Sequence, residues 1–135
     1  MKKLLIGLLL IASTHVFAQE VFKFKGLKNY DGDTITTPIV AIKGLPPLHI
    51  RVFGIDTPEI KGACPEEKAL AKKAKERLSE ILQDEVTIQP MDWDKYGGRF
   101  IATVYDKNGK NVAETLISEG LARPYFGEKK TPWCN

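Results

Sequence analysis

The chain has 135 residues, of which 20 are basic, 17 are acidic and two are cysteine. This length suits one compact domain with a single hydrophobic core. A formal charge of +3 is too small for nucleic acid to be bound through bulk charge, so any phosphate site must come from locally placed cations.

The first residues are predicted to be a secretory signal peptide. Lys2 and Lys3 precede an apolar run over residues 4–12, and the small side chain of Ala18 suits a signal peptidase. We expect cleavage after Ala18, which leaves a single domain, residues 19–135, that is secreted or periplasmic and free of the membrane. A retained membrane anchor is disfavoured because the apolar run is short for a bilayer. Without Lys2 and Lys3, 18 basic and 17 acidic residues leave a net charge of +1.

The first half of the mature chain is predicted to form three strands. Residues 21–30 alternate roughly between apolar and polar side chains, residues 34–42 are rich in β-branched side chains, and residues 49–55 form a third strand-like segment. The acidic turn at residues 31–33 contains a glycine and separates the first two strands.

Helices and further strands are predicted after residue 64. Pro65 suits a first helical position, and apolar residues then recur at helical spacing through residue 82, with the lysines mostly on the solvent side. The later elements are strands over residues 85–89 and 100–105, a short helix over 112–119 that ends at Gly120, and an extended segment over 121–126.

Five strands with a helix after the third indicate a small five-stranded Greek-key barrel of the OB type, within the mostly β or α+β classes. A generic α+β domain would show similar periodicities and is the alternative.

Cys64 and Cys134 are the chain's two cysteines. A disulfide bond between them is expected in an oxidising compartment and would tie the C-terminus to the middle of the chain. The alternatives are a reactive thiol at Cys64, beside the predicted helix, and a zinc site. A zinc site is disfavoured because, outside the signal peptide, His49 is the only histidine that could join the cysteines.

Two acidic positions are candidates for a metal site. Asp33 and Asp56 stand at strand ends, and antiparallel pairing of the intervening strands can bring such ends together. Two carboxylates, a backbone carbonyl near Thr57 and several waters would suit Ca²⁺, which accepts oxygen ligands in loose geometry. The pattern is not an EF-hand, because the later ligands of that loop are missing. The alternative is a pair of turn aspartates without a metal.

Two arginines and a glutamate are candidates for work on a phosphate. Arg51 could clamp a phosphate through two parallel hydrogen bonds, or could pair with Asp56 or Glu59 for structure alone. Glu59 could take a proton from water, or could be an exposed loop residue. Arg99 follows a glycine-rich turn that could aim it at a phosphate, or could lie on the surface. Metal, arginine and carboxylate together predict phosphodiester chemistry.

Three segments of the chain resemble, in the same order, motifs of the staphylococcal nuclease (thermonuclease) family. They are Asp31-Gly32-Asp33-Thr34, Arg51 with Ile55-Asp56-Thr57-Pro58-Glu59, and Asp94-Lys95-Tyr96-Gly97 with Arg99. The resemblance extends over about residues 21–126. It implies an OB-type barrel with about three helices, and Ca²⁺-dependent hydrolysis of DNA and RNA phosphodiesters that leaves 3′-phosphates.

The resemblance also implies roles for individual residues. Calcium would be bound by Asp33, Asp56 and the carbonyl of Thr57, with Asp31 as an outer acid. The scissile phosphate would be contacted by Arg51 and Arg99, the general base would be Glu59, and a terminal phosphate would be contacted by Lys95 and Tyr96. An extra glycine, Gly98, directly before Arg99 departs from the family pattern.

The leading hypothesis is a secreted, monomeric, Ca²⁺-dependent nuclease that acts on DNA and RNA and has no stable protein partner. The alternative is an OB-fold module that binds nucleic acid without catalysis. A third hypothesis is a secreted interaction domain that calcium stabilises. The joint presence of Asp33, Arg51, Asp56, Glu59 and Arg99 favours the enzyme.

Overall fold

The computed structural model describes residues 20–40, 43–95 and 97–135. The predicted signal peptide, residues 41–42 of the predicted second strand, and Tyr96 lie outside the described residues. In chain order the elements are β1 (Phe22–Lys25), β2 (Lys28–Asn29), β3 (Thr34–Thr36), β4 (His49–Val52), β5 (Ile55–Asp56), α1 (Pro65–Gln83), β6 (Glu85–Trp93), β7 (Arg99–Tyr105), α2 (Val112–Ser118) and β8 (Arg123–Pro124). Across the described ranges, no helix combines the length and the apolar character needed to cross a bilayer.

Six strands form one mixed sheet in the order β1-β6-β7-β4-β3-β2, and β5 pairs with β8 in a second, two-stranded sheet. The pair β4–β7 is parallel and the other pairs are antiparallel. The two edge strands, β1 and β2, are separated along the chain only by Gly26 and Leu27. The sheet therefore curls back on itself, and β1 and β2 act as one interrupted strand of a five-stranded barrel.

This arrangement confirms the predicted OB-type fold class. The described residues form two helices, where the resemblance implied about three. Helix α1 begins at Pro65 as predicted, and its buried face carries Ala71, Ala74, Leu78 and Leu82. These side chains recur every three or four residues, so they form one apolar stripe that packs against the barrel core.

Three predicted strands are shorter or divided in the structure, and the first of them is divided into β1 and β2. The second predicted strand is regular only over β3, whose last residue Thr36 pairs with the first residue of β4, His49. Beyond Thr36 the chain still exchanges backbone hydrogen bonds with Leu48, through the N–H of Thr37 and the carbonyl of Ile39, but it forms no regular strand. The third predicted strand is divided at Gly54, where a positive φ of 89° turns the chain. Strand β5 then pairs with β8 outside the barrel. This turn carries Asp56 out of the barrel sheet.

Candidate active site

Asp33 lies where three segments of the chain meet. It directly precedes β3, and the register that pairs Thr34 with Arg51 brings it beside β4. Its Oδ2 accepts a hydrogen bond from the backbone N–H of Thr57 at 3.0 Å and forms an ion pair with Nη1 of Arg51 at 2.8 Å. The side chains of Arg51 and Asp33 are only 12% and 8% exposed, so this is a largely buried pair.

The 31–33 turn approaches helix α1 very closely. A Cβ atom on Gly32 would lie 2.8 Å from Cβ of Ala74 and 2.9 Å from Cγ2 of Thr57. Such distances leave no room for a side chain, so glycine is the residue that lets the acidic turn rest on both α1 and the 57–59 segment.

Asp31 supports the turn. Its Oδ1 accepts a hydrogen bond from the backbone N–H of Asp33 at 3.1 Å. Burial, followed by the negative charge of Asp33, raises the pKa of Asp31 to about 6. A cation bound nearby would favour the charged form of this carboxyl.

Asp56 is held by the C-terminal tail, which we define as residues 127–135. Oδ1 of Asp56 forms an ion pair with Nζ of Lys130 at 2.9 Å, and Oδ2 accepts a hydrogen bond from Nε1 of Trp133 at 3.1 Å. Burial lowers the pKa of Lys130, but the hydrogen bond to Asp56 and the negative charge of Asp56 raise it by more. The net effect is a raised pKa. Sequence reasoning missed Lys130 and Trp133.

A sequence signal for these two residues does exist. The predicted disulfide is present between Cys64 and Cys134, with their Cα atoms 6.1 Å apart, which confirms that prediction. Because Cys64 follows Glu59 by only five residues, a bond to Cys134 must bring the tail next to the acidic segment. From the expected disulfide bond it could therefore have been predicted that Lys130 and Trp133 lie near the site.

Glu59 lies on a loop that a buried glutamate supports. Oε2 of Glu67 accepts a hydrogen bond from the backbone N–H of Glu59 at 3.1 Å, and Oε1 accepts one from the backbone N–H of Ala63 at 3.0 Å. Partial burial, and then the charge of Asp33, raise the pKa of the Glu59 carboxyl. Nζ of Lys130 lies 4.0 Å from Oε1 of Glu59. Glu59 therefore shares an electrostatic environment with both aspartates.

Arg51 and Arg99 line the same cavity, which has a volume of about 380 Å³. Arg99 begins β7, and its Nε forms an ion pair with Oδ2 of Asp94 at 2.5 Å. The chain turns back between these two residues through Gly97 and Gly98, whose φ values of 72° and 68° favour glycine. The extra glycine therefore belongs to a turn that leaves Arg99 on the cavity wall.

Cationic and aromatic side chains form another part of the cavity wall. Lys95 and Lys130 line it together with Tyr125. Two further rings on this wall, Trp93 and Phe126, are 61% and 68% exposed. A cavity that combines positive charge with exposed rings suits a ligand with phosphate groups and flat bases.

The oxygen donors of the site suit a calcium ion. Carboxylate and carbonyl oxygens are the ligands that Ca²⁺ prefers. One cation, the ammonium group of Lys130, contacts the buried Oδ1 of Asp56. Oγ1 of Thr57 is also buried and has no hydrogen-bond partner among the described residues. The chemistry of the donors therefore fits a hard cation.

A second group of potential ligands does not fit a metal. Cys64, Glu67 and Cys134 form a compact group of three, but the two sulfur atoms are bonded to each other. A disulfide offers no thiolate to a metal. In the described part of the chain, no three acids of the site form so compact a group.

A comparison with models of protein families gives a match over most of the described chain. The model of a family described as staphylococcal nuclease homologue matches residues 49–133, more than half of the chain. A comparison with curated proteins gives no match.

Proposed function

Because the chain belongs to the staphylococcal nuclease homologue family, we propose that it is a calcium-dependent nuclease that hydrolyses phosphodiester bonds of DNA and RNA. Membership of this family supports a nuclease or a nucleic-acid-binding OB-fold module. The finer proposal, with its metal, products and residue roles, is supported by the geometry of the site.

One observation carries the proposal. Arg51 and Arg99 line one cavity, and the ion pair between Arg51 and Asp33 joins that cavity to the acidic residues. Phosphodiester hydrolysis gathers negative charge on the non-bridging oxygens of the phosphate, and guanidinium groups aimed at those oxygens stabilise the transition state more than the ground state. Cations and acids in this arrangement suit that reaction.

Each arginine retains donors for a phosphate while it pairs with a carboxylate. A guanidinium has five N–H groups in a planar fork. Arg99 contacts Asp94 through Nε, and Arg51 contacts Asp33 through Nη1. The carboxylates fix the direction of the two side chains, and the other N–H groups are of the kind that binds phosphate oxygens.

Asp33, Asp56 and the carbonyl of Thr57 would hold the calcium ion, with Asp31 as an outer acid. When bound, the ion would supply positive charge next to the phosphate and would help to position the attacking water. We propose that Glu59 accepts a proton from that water as its oxygen bonds to phosphorus. Its raised pKa brings it nearer to neutral pH, where a general base is more effective.

The bond that breaks in this scheme is the one between phosphorus and the 5′-oxygen. The departing 5′-oxygen takes a proton from solvent, and Glu59 returns its proton to solvent. The products are a 3′-phosphate and a 5′-hydroxyl. Lys95, on the cavity wall, is proposed to contact a terminal phosphate. The same role for Tyr96 stays a prediction from the sequence.

A nucleic-acid-binding module without catalysis is the second candidate. It is favoured by one observation, that Asp33, Asp94 and Asp56 are each paired with a cation of the chain itself. Under this candidate the ion pairs are structural, and the cavity binds phosphates and bases without cleaving them.

We also propose that the protein works outside the cytoplasm as a monomer. The disulfide bond between Cys64 and Cys134 is of the kind that persists in oxidising compartments. The proposed cleavage after residue 18 would leave a single domain over residues 19–135.

Digestion of plasmid DNA and of RNA, with calcium or with a chelator, tests the proposed function. We expect cleavage of both substrates with calcium, none with the chelator, and fragments that gain a 5′-label from a kinase without prior phosphatase treatment. Tight binding of the same nucleic acids without any cleavage would favour the second candidate. Equal cleavage in calcium and in chelator would refute the calcium dependence.

A further inference from the structure

Two side chains of the C-terminal tail contact the carboxylate of Asp56, one of the proposed metal ligands. Lys130 and Trp133 each contact one oxygen of Asp56, at 2.9 and 3.1 Å. Asp56 is almost fully buried, and these two contacts engage both of its oxygens. The tail is therefore part of the site and not a peripheral extension.

Three connections hold the tail in this place. The disulfide bond joins Cys134 to Cys64, the residue directly before α1. The guanidinium of Arg123 lies 3.8 Å from the ring centroid of Trp133, and its Nη1 donates hydrogen bonds to the carbonyls of Thr131 and Pro132 at 3.2 and 3.0 Å. Lys130 thus lies on a segment that is anchored on both strand β8 and helix α1.

An ammonium group and a divalent ion cannot share this oxygen at low energy. Calcium lies 2.3–2.6 Å from its ligand oxygens, and Nζ of Lys130 lies 2.9 Å from the same atom. Two like charges a few ångströms apart repel strongly in a partly buried site. One of the two cations must leave before the other can bind.

We propose that Lys130 is an internal cation that competes with the divalent ion for Asp56. This inference rests on the proposed function, because it assumes that a divalent ion binds at Asp56. The side chain of Lys130 is 47% exposed, so it has room to turn outward when the ion arrives. Trp133 keeps its hydrogen bond to Oδ2 and so holds Oδ1 toward the ion, as an outer partner does for a metal ligand.

The competition lowers the apparent affinity for calcium. A ligand that binds only one conformer has its apparent dissociation constant raised by the reciprocal of that conformer's population. If the paired conformer of Lys130 accounts for about nine-tenths of the molecules, removal of the ammonium tightens calcium binding about tenfold.

Calorimetric titration of calcium into the wild type, Lys130→Gln and Lys129→Gln tests this inference. Both variants lose one positive charge from the tail, but Lys129 forms no ion pair within the described part of the chain and so controls for net charge. We expect the dissociation constant to fall about tenfold in Lys130→Gln and to change less than about twofold in Lys129→Gln. Circular dichroism of each variant checks that its fold is unchanged.

The outcomes separate the inference from the proposed function. Calcium binding that is equally tight in all three proteins, or equally tightened in both variants, overturns the competition and leaves the calcium site standing. If none of the three proteins binds calcium, the inference falls together with the calcium dependence of the proposed function.

Discussion

Replacement of Cys64 and Cys134 by serine is expected to destabilise the domain strongly. The bond closes a loop with a sequence separation of 70 residues. In the chain-entropy description, a cross-link over a loop of this length stabilises the folded protein by about 4 kcal/mol, because it restricts the unfolded chain. For a domain of this size, such a loss is a large part of the whole free energy of unfolding.

Equilibrium unfolding in urea, followed by far-ultraviolet circular dichroism, measures this loss. The experiment is done in chelator, so that calcium binding does not add to the stability of either protein. With an m value on the order of 1.5 kcal/mol/M, a loss of 4 kcal/mol lowers the urea midpoint by about 3 M.

A reducing agent supplies the control. It should lower the midpoint of the wild type toward that of the double variant and leave the double variant unchanged. The reasoning is refuted if the two midpoints differ by less than about 0.5 M, since a loop of this length then contributes almost nothing.

Two further substitutions test the site. Arg51→Lys keeps the positive charge beside Asp33 but lacks the planar guanidinium fork. We therefore expect turnover to fall about 100-fold while the melting temperature stays within a few degrees. A rate within threefold of the wild type would remove Arg51 from the proposed contact with phosphate. Glu67→Gln puts an NH₂ group where a carboxylate oxygen accepts a hydrogen bond from the N–H of Glu59 or Ala63. We expect urea unfolding to show that the free energy of unfolding falls by about 2 kcal/mol. No measurable loss would mean that these hydrogen bonds do not support the loop.

Local periodicity was enough to predict both helices and the approximate positions of the strands, although not the exact strand bounds. Helix α1 begins at Pro65 as expected, and α2 ends two residues before Gly120. Hydrophobic spacing and helix-end residues act over a few positions, so they can be read from the chain itself. The parallel pairing of β4 with β7 joins strands that lie about 50 residues apart in the sequence, and no local signal encodes it.

The partners of the charged residues were harder to predict. The sequence suggested Asp56 or Glu59 as a structural partner of Arg51, and the structure instead pairs Arg51 with Asp33. The cause is the strand register, which sets Thr34 opposite Arg51 and so brings the preceding aspartate beside the guanidinium. A register depends on contacts between distant segments, which residue types alone do not specify.

The contacts of the tail with Asp56 depend on a long-range constraint, the disulfide bond, which was predicted from the sequence. The disulfide was expected, but its consequence for Asp56 requires the path of the tail between Arg123 and Cys134. That path comes from the contacts of Arg123 with the tail, which have no periodic pattern.

The most direct test of the account is the rate of cleavage of a fluorescent single-stranded oligonucleotide as free calcium is raised, in the wild type and in Asp56→Asn. Asparagine keeps an acceptor for Trp133 but removes a negative charge that strengthens calcium binding. The account predicts that the wild-type rate rises with calcium to a plateau and falls to background in chelator, and that Asp56→Asn needs at least about tenfold more calcium. A wild-type rate that is the same with chelator as with calcium, or a calcium dependence that is unchanged in Asp56→Asn, would contradict it.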